Sequence, residues 1–488
     1  KQEQTQRCPL GASMGSRSST ARDPRNWRQR NGEYLEGEGP IELTIDIGPI
    51  QIYHFHEECR AEVTRALLRA GDLPFEDTRY NSSEWEQARQ DTDGVPGICF
   101  GCLPVLTHGN FILAQSQATA FYAAELGIWA KGRIGTGSNR IRNRLYELMF
   151  LGVHAELQGA MFKCHYGSES FKRKFRDRLP NSVRNILVGI ERMILSKAFP
   201  GPFLVSPEGP TVADFCVHNA VTSSFPGLRK LGVDLSAYPA ILRLTDAVQA
   251  NLTTKERRRG RVEPPQVPLP EGLPELWYFD SQGQAEVTRL TFAAGGVPFR
   301  DIRLTTAQWR DAKSNPNSVP SQLFKSLPCV RHSDIFLAQP RATCVYAAEL
   351  GIWAQGRIGT GAEAMDNRAV ELMVLGVHAD LQTSMFRCLM GNDEARDSSR
   401  AALGSLVHPL LQGLERLLER KTCRGPFFIC EDEPTIADLA VYDAVVSPLP
   451  GLQVLGVDLE GYEQIRALVQ AVREDRRIAR YIASQGGA

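Results

Sequence analysis

Short apolar runs that alternate with a single helical-period segment give way to long stretches with apolar positions three and four apart, and this change occurs twice along the 488-residue chain. In the first occurrence "IQIYHF" predicts a strand, and "AEVTRALLRAG" places Val63, Ala66, Leu67 and Ala70 on one helical face. "CLPVLTHGNFILAQ" then predicts a hairpin-like pair of strands. These elements make a small mixed α/β domain. The glycines of "GIWAKGRIGTG" are expected to end a helix and form a connection. Beyond them the pattern is helix after helix, for example Arg142 to Cys164 and Val183 to Lys197, which makes an all-α domain. Thr211 with Asp214, and Thr435 with Asp438, stand just before apolar runs and read as helix N-cap boxes. Folding accounts for both.

The two occurrences are copies. "AELGIWAKGRIGTG" from Ala124 returns as "AELGIWAQGRIGTG" from Ala348, a constant offset of 224 residues, with Gln355 replacing Lys131 as the one change. "LMFLGVHAELQ" returns as "LMVLGVHADLQ" at the same offset. The expected layout is a basic tail over 1–48, an α/β domain over 49–128 and a helical domain over 129–255. A Pro/Arg-rich linker over 256–272 follows, then the second pair of domains over 273–352 and 353–488.

Composition narrows the function classes. A formal net charge of zero and 42% hydrophobic residues describe a globular chain and argue against a general binder of nucleic acid or anionic membranes. Two basic segments, the first thirty residues and "KERRRGR", read as solvated linkers. No run of 18 apolar residues predicts a transmembrane segment, and nothing reads as a secretory signal. "MGSRSS" from Met14 would fit an N-myristoylation pattern if Met14 were the initiator. Eleven cysteines, an odd number spread through a long chain, suit a reducing cytoplasm rather than a disulfide framework.

In this order, and twice, the motifs resemble those of the cytosolic glutathione transferases, most closely the sigma-type branch. They are a strand ending in an aromatic-Phe pair, an Ala-Glu opening the first helix, a Trp with a basic residue four positions on, and a Leu-Pro-Val or Leu-Pro-Cys turn. A Gln before the next helix and the helical cap box complete the set. The resemblance implies a thioredoxin-like domain followed by a helical domain in each copy. It also implies glutathione as co-substrate with no separate cofactor, an electrophilic small molecule as its partner, and the two units paired as an intramolecular pseudo-dimer. Detoxification is the implied role. The alternative is a catalytically weakened binding or scaffold module, since fold alone does not establish activity.

The resemblance also implies site residues. A free thiol titrates near 8.5, so a hydrogen-bond donor aimed at sulfur is needed to hold the thiolate at neutral pH. The family's strand-end Tyr is Tyr278 in the second copy, and the same register puts His54 in the first, where an imidazole N–H would replace part of the donor. Tyr53 is adjacent but points to the other face of the strand. Restoring Tyr at position 54 is expected to raise the first unit's rate. Glutathione contacts map to Leu103-Pro104 and Leu327-Pro328, where the family has a cis proline, and to Trp85 with Arg89 and Trp309 with Lys313 at the glycyl carboxylate. Cys102 and Ser326 replace the Gln that the family has before Leu-Pro, and both copies carry extra residues between the Trp and that turn. The γ-glutamyl carboxylate maps to Gln115-Ser116 and, in the second copy, to Gln339-Pro340, where proline supplies neither hydroxyl nor N–H. Two lost charge-assisted bonds of roughly 1.5 to 3 kcal/mol each would weaken binding on the order of a hundredfold. The first unit is therefore expected to hold glutathione better.

Other chemistry is weaker. Cys59 lies near a helix start that favours a thiolate, as used by omega-type relatives, but one residue further from the strand, which favours an incidental thiol. "CFGC" precedes the Leu-Pro turn and is missing from the second copy. "HFHEEC" lacks a second ligand cluster for a metal, and "GRIGTG" follows a helix rather than a strand, unlike a phosphate loop. His154 and His378 recur beside Glu156 and Asp380, with packing or a helix-surface hydrogen bond as the expected role.

Overall fold

The structure is a computed structural model that describes residues 49–57, 59–91, 94–95, 100–197, 199–253, 267–449 and 451–485. The tail with "MGSRSS", the "KERRRGR" run and Cys99 of "CFGC" lie outside the described residues.

The alternating segment forms β1 (Ile50–Phe55), followed by α1 (Glu62–Ala70), β2 (Phe75–Tyr80) and α2 (Ser82–Ala88). The hairpin is β3 (Val105–His108) and β4 (Phe111–Ala114), and α3 (Ser116–Ala124) closes the domain. The sheet order is β2-β1-β3-β4, with β1 parallel to β2 and antiparallel to β3. Strict alternation buries Ile50, Ile52 and His54 on one face of β1 and leaves Gln51, Tyr53 and Phe55 half-buried on the other. Thr64 of α1 and Thr119 of α3 share a hydrogen bond of 3.0 Å where the two helices pack on the sheet.

The helical part contains α4 (Gly137–Lys163), α5 (Glu169–Ser196), α6 (Val212–Thr222) and α7 (Pro239–Thr253). Both long helices begin earlier than the apolar spacing predicts. The first turns of α5 are mostly exposed and carry Pro180 within the helix, so they offer little apolar periodicity to read. Asp214 behaves as more than a cap: it accepts the Thr211 N–H at 2.8 Å and the Leu204 N–H at 2.8 Å, tying the incoming loop to α6. Burial lifts its carboxyl to about 6 against these bonds.

The second unit repeats this as β5 (Glu275–Phe279), α8 (Glu286–Gly295), β6 (Arg300–Leu304), α9 (Thr306–Ser314) and α10 (Val319–Gln322). Next come β7 (Cys329–His332), β8 (Ile335–Ala338), α11 (Pro340–Leu350), α12 (Gly361–Arg387) and α13 (Asp393–Arg420). The chain ends in α14 (Ile436–Val446), α15 (Glu463–Glu474) and α16 (Arg476–Gln485). Its sheet order, β6-β5-β7-β8, is that of the first sheet. Asp438 repeats the Asp214 arrangement with Thr435 and Phe428.

The glycine of "AELGIW" does more than end a helix. Gly127 lies in a π-helical turn (Glu125–Trp129) where its Cα touches Gly71 at the end of α1, so that a Cβ on Gly71 would come within 2.8 Å of it. Gly295 and Gly351 repeat the contact in the second unit. Two facing glycines let the backbones touch.

The units pack against each other through α3, α4, α11 and α12. At the centre of the contact Glu125 is buried and meets Arg140 at 2.6 Å, Arg144 at 3.3 Å and Arg368 of the second unit at 3.8 Å. Arg144 also reaches Glu349 across the contact at 2.9 Å. Burial opposes ionisation of Glu125, but Arg144, Arg140 and Arg368 outweigh it and hold the carboxyl below its usual range. At the rim Arg142 pairs with Asp334, and the Arg192 guanidinium donates to the Ser321 carbonyl.

Candidate active site

Tyr278 ends β5 on the buried face, with its ring under the Arg289 guanidinium at 5.8 Å. Its hydroxyl accepts the Gln284 N–H at 3.0 Å, which leaves its own proton to donate. Burial raises its pKa, partly opposed by that N–H and by Arg289, so the group is a phenol at neutral pH.

His54 takes the matching place in the first unit and is 1% exposed. Its Nδ1 is enclosed and has no hydrogen-bond partner among the described residues. Burial, then the charge of Arg65, pushes its pKa down to about 3. The ring is therefore neutral and can offer one uncharged N–H. Tyr53 points to the other face and donates to Gln51.

Both Leu103-Pro104 and Leu327-Pro328 are cis. Gln115 and Gln339 have φ of +74° and +79°, a region costly for a side-chain-bearing residue by about 1–3 kcal/mol. Each is held from the opposite unit: Gln115 Nε2 donates to Asp380 at 2.8 Å, and Gln339 Nε2 donates to Glu156 at 3.0 Å. Gly376 and Gly152 leave room for them, since a Cβ at either would come within 2.6 and 2.8 Å of the respective glutamine side chain.

A cavity of about 670 Å³ opens at this contact on the second unit's side. Leu327, Gln339, Pro340 and Gln284 form one wall, His378 and Phe386 of α12 another, and Glu156 of the first unit a third. Tyr278 lies one hydrogen bond behind Gln284. In the first unit the residues matching Gln284 and Phe386 are Arg60 and Phe162, and they touch, with the guanidinium 5.4 Å from the ring centre. A cation stacked on an aromatic face bridges there the two walls that flank the second unit's cavity.

The Trp and basic residues fall elsewhere. Trp85 packs on Phe55 and Tyr80, and Trp309 on Phe279, against the faces turned away from His54 and Tyr278. Arg89 pairs with Glu86, and Lys313 lies over the Trp309 ring. None of the four lines the cavity. Burial pushes the Cys59 thiol up, away from the thiolate that a helix start favours. His154 and His378 bond neither Glu156 nor Asp380; their Nε2 atoms meet Asn219 and Asp443, each at 2.8 Å. The cross-unit partners Glu156 and Asp380, and the cavity residue Arg341, are not identified by the motifs. A signal for Arg341 exists in the offset, which sets it against Gln117 immediately beside the Ser116/Pro340 difference.

The model of the glutathione S-transferase N-terminal domain matches residues 48–125, and that of the C-terminal domain matches residues 379–485. These matches identify a glutathione S-transferase N-terminal domain in the first unit and a C-terminal domain in the second. S-crystallin 2 of Enteroctopus dofleini is 26% identical over 211 residues, which cover 42% of this chain and 94% of that protein. Glutathione S-transferase P of Caenorhabditis elegans is 26% identical over 170 residues, covering 35% of this chain and 74% of its own. The crystal structure of a Caenorhabditis elegans transferase overlays 44% of this chain and 97% of its own, with 20% identity and a TM-score of 0.36.

Within this transferase frame, the His/Tyr exchange has a steric partner. A Cβ added to Gly283 would come within 2.7 Å of the Tyr278 hydroxyl, and Gly283 has φ +45°. The residue at the matching position of the first unit is Cys59. A tyrosine at position 54 whose hydroxyl took the place that Tyr278's has would meet a side chain there, which Gly283 lacks. Restoring the tyrosine alone therefore meets an obstacle. His54→Tyr should destabilise the chain by about 1–3 kcal/mol through overpacking, and adding Cys59→Gly should recover most of the loss. Urea unfolding of the two variants measures this; equal stability of the single variant and the parent would show that Cys59 sets no limit.

Proposed function

We propose that the chain conjugates the glutathione thiol to an electrophilic small molecule in its second unit, with the first unit kept as the structural half of an intramolecular pseudo-dimer. The carrying observation is the cavity beside Leu327 and Gln339, behind whose wall Tyr278 keeps a proton to donate to sulfur. Holding the thiolate and the electrophile in one cavity supplies rate by proximity as well as by charge stabilisation. Glutathione is the co-substrate, and the reading calls for no other cofactor.

Thr383 is exposed on the cavity wall, and Gly159 is its counterpart in the first unit. In the full chain Thr383→Trp should abolish glutathione binding measured by calorimetry, while Gly159→Trp should leave it intact. The opposite pattern would move the site to the first unit. A second reading, a non-catalytic binding or scaffold protein, is favoured by the neutral His54 and by Arg60 bridging the first cleft. Absence of glutathione binding in the parent chain would establish it over the first.

A further inference from the structure

Pro340 opens α11 without a hydroxyl or an N–H, so the second unit lacks both donors that Ser116 offers at the corresponding place. The next residue is Arg341, where the first unit has Gln117, and Arg341 lines the cavity. Its guanidinium is poorly satisfied. Nη2 donates to the Leu375 carbonyl at a long 3.4 Å, and the enclosed Nε has no hydrogen-bond partner among the described residues. The acid that most influences it is Asp380, but no ion pair joins them among the described residues, and that carboxylate receives the Gln115 amide. Burial lowers its pKa to about 10, offset in part by Asp380, so it is charged at neutral pH. A fixed fork of N–H groups with unused donors at a cavity wall matches a planar carboxylate.

We propose that Arg341 anchors a ligand carboxylate in the second unit, in place of the two donors that Pro340 removes, and that this group is the γ-glutamyl carboxylate of glutathione. The inference rests on the reading that the second unit holds glutathione. It reverses the consequence drawn from Pro340 alone: the grip is exchanged rather than lost.

Calorimetry on the full chain tests it with two probes, glutathione and cysteinylglycine, which lacks the γ-glutamyl group. Arg341→Met should weaken glutathione on the order of ten- to a hundredfold, as expected for a charge-assisted pair, and leave cysteinylglycine unchanged. Arg341→Lys should retain part of the affinity, and Pro340→Ser in the Arg341→Met background should restore it by returning a hydroxyl and an N–H. That rescue would not follow if Arg341 only supported the fold. Unchanged glutathione affinity in Arg341→Met overturns the anchor and leaves the glutathione reading standing. Binding blocked by Gly159→Trp but not by Thr383→Trp overturns the anchor and keeps glutathione in the first unit. No binding by the parent chain overturns both.

Discussion

Tyr278→Phe should lower the rate of glutathione conjugation about a hundred- to a thousandfold, the usual cost of removing one donor from a developing or resident anion, while glutathione affinity changes little. The phenol accepts the Gln284 N–H and, on the proposed reading, gives its proton to sulfur; Phe removes both, and the first loss falls on stability while the second falls on rate. Burial raises the phenol's pKa, so the donor is intact through the pH range in which a thiol ionises. With the donor present the bound thiol ionises below its free value of about 8.5, and without it the thiol titrates near that value or above. The deficit of Tyr278→Phe should therefore be largest near pH 6.5 and shrink as pH rises toward 9, read from pH–rate profiles. His54→Phe is the internal control and should not alter the profile. Equal rates for Tyr278→Phe and the parent at pH 6.5 would remove Tyr278 from the chemistry.

Glu125→Gln should destabilise the chain by about 3–5 kcal/mol, the loss found when one partner of a buried charge cluster is removed. The change leaves Arg140, Arg144 and Arg368 gathered at the contact between units without the carboxylate they share, while Glu349 still pairs with Arg144. The carboxyl's pKa is lowered on folding. Its contribution is thus present in full above the unfolded value and is lost as pH falls through the folded one. The parent should lose part of its margin over the variant on acidification, measured by urea unfolding at pH 7 and at pH 3. An exposed pair gives the contrast: Asp397→Asn, which frees Arg400, should cost under about 1 kcal/mol. A margin at pH 7 no larger than that of Asp397→Asn would mean that water reaches the cluster.

The alternation of β1 was legible because the strand has one buried face, and the same alternation placed Tyr53 on the wrong side of the sheet. The cap boxes at Thr211 and Thr435 were legible because the bonds they make are local. The early start of α5 was not, because a polar, exposed first half carries no periodicity. At the site, the order of motifs pointed to Leu103-Pro104, Leu327-Pro328 and the two glutamines. Contacts such as Gln115 with Asp380 lay beyond it, because an offset of 224 residues shows which positions correspond and not which ones face each other. The stacking of Arg60 on Phe162 is hidden for the same reason: each residue alone reads as surface or core.

The glycine sockets make neither half of the chain self-sufficient. Gln339 keeps its costly backbone because Gly152 leaves space for it and Glu156 pulls on its amide, and both belong to the other half. A half-length fragment, even one that folds, would let that glutamine relax and would blur the cleft it shapes. A substitution as small as Gly152→Ala would be felt at a cleft more than a hundred residues away along the chain, with no change to any residue of the second unit. Each half thus holds part of the mould for its neighbour's cleft, and a lesion in one half would surface as a defect in the other.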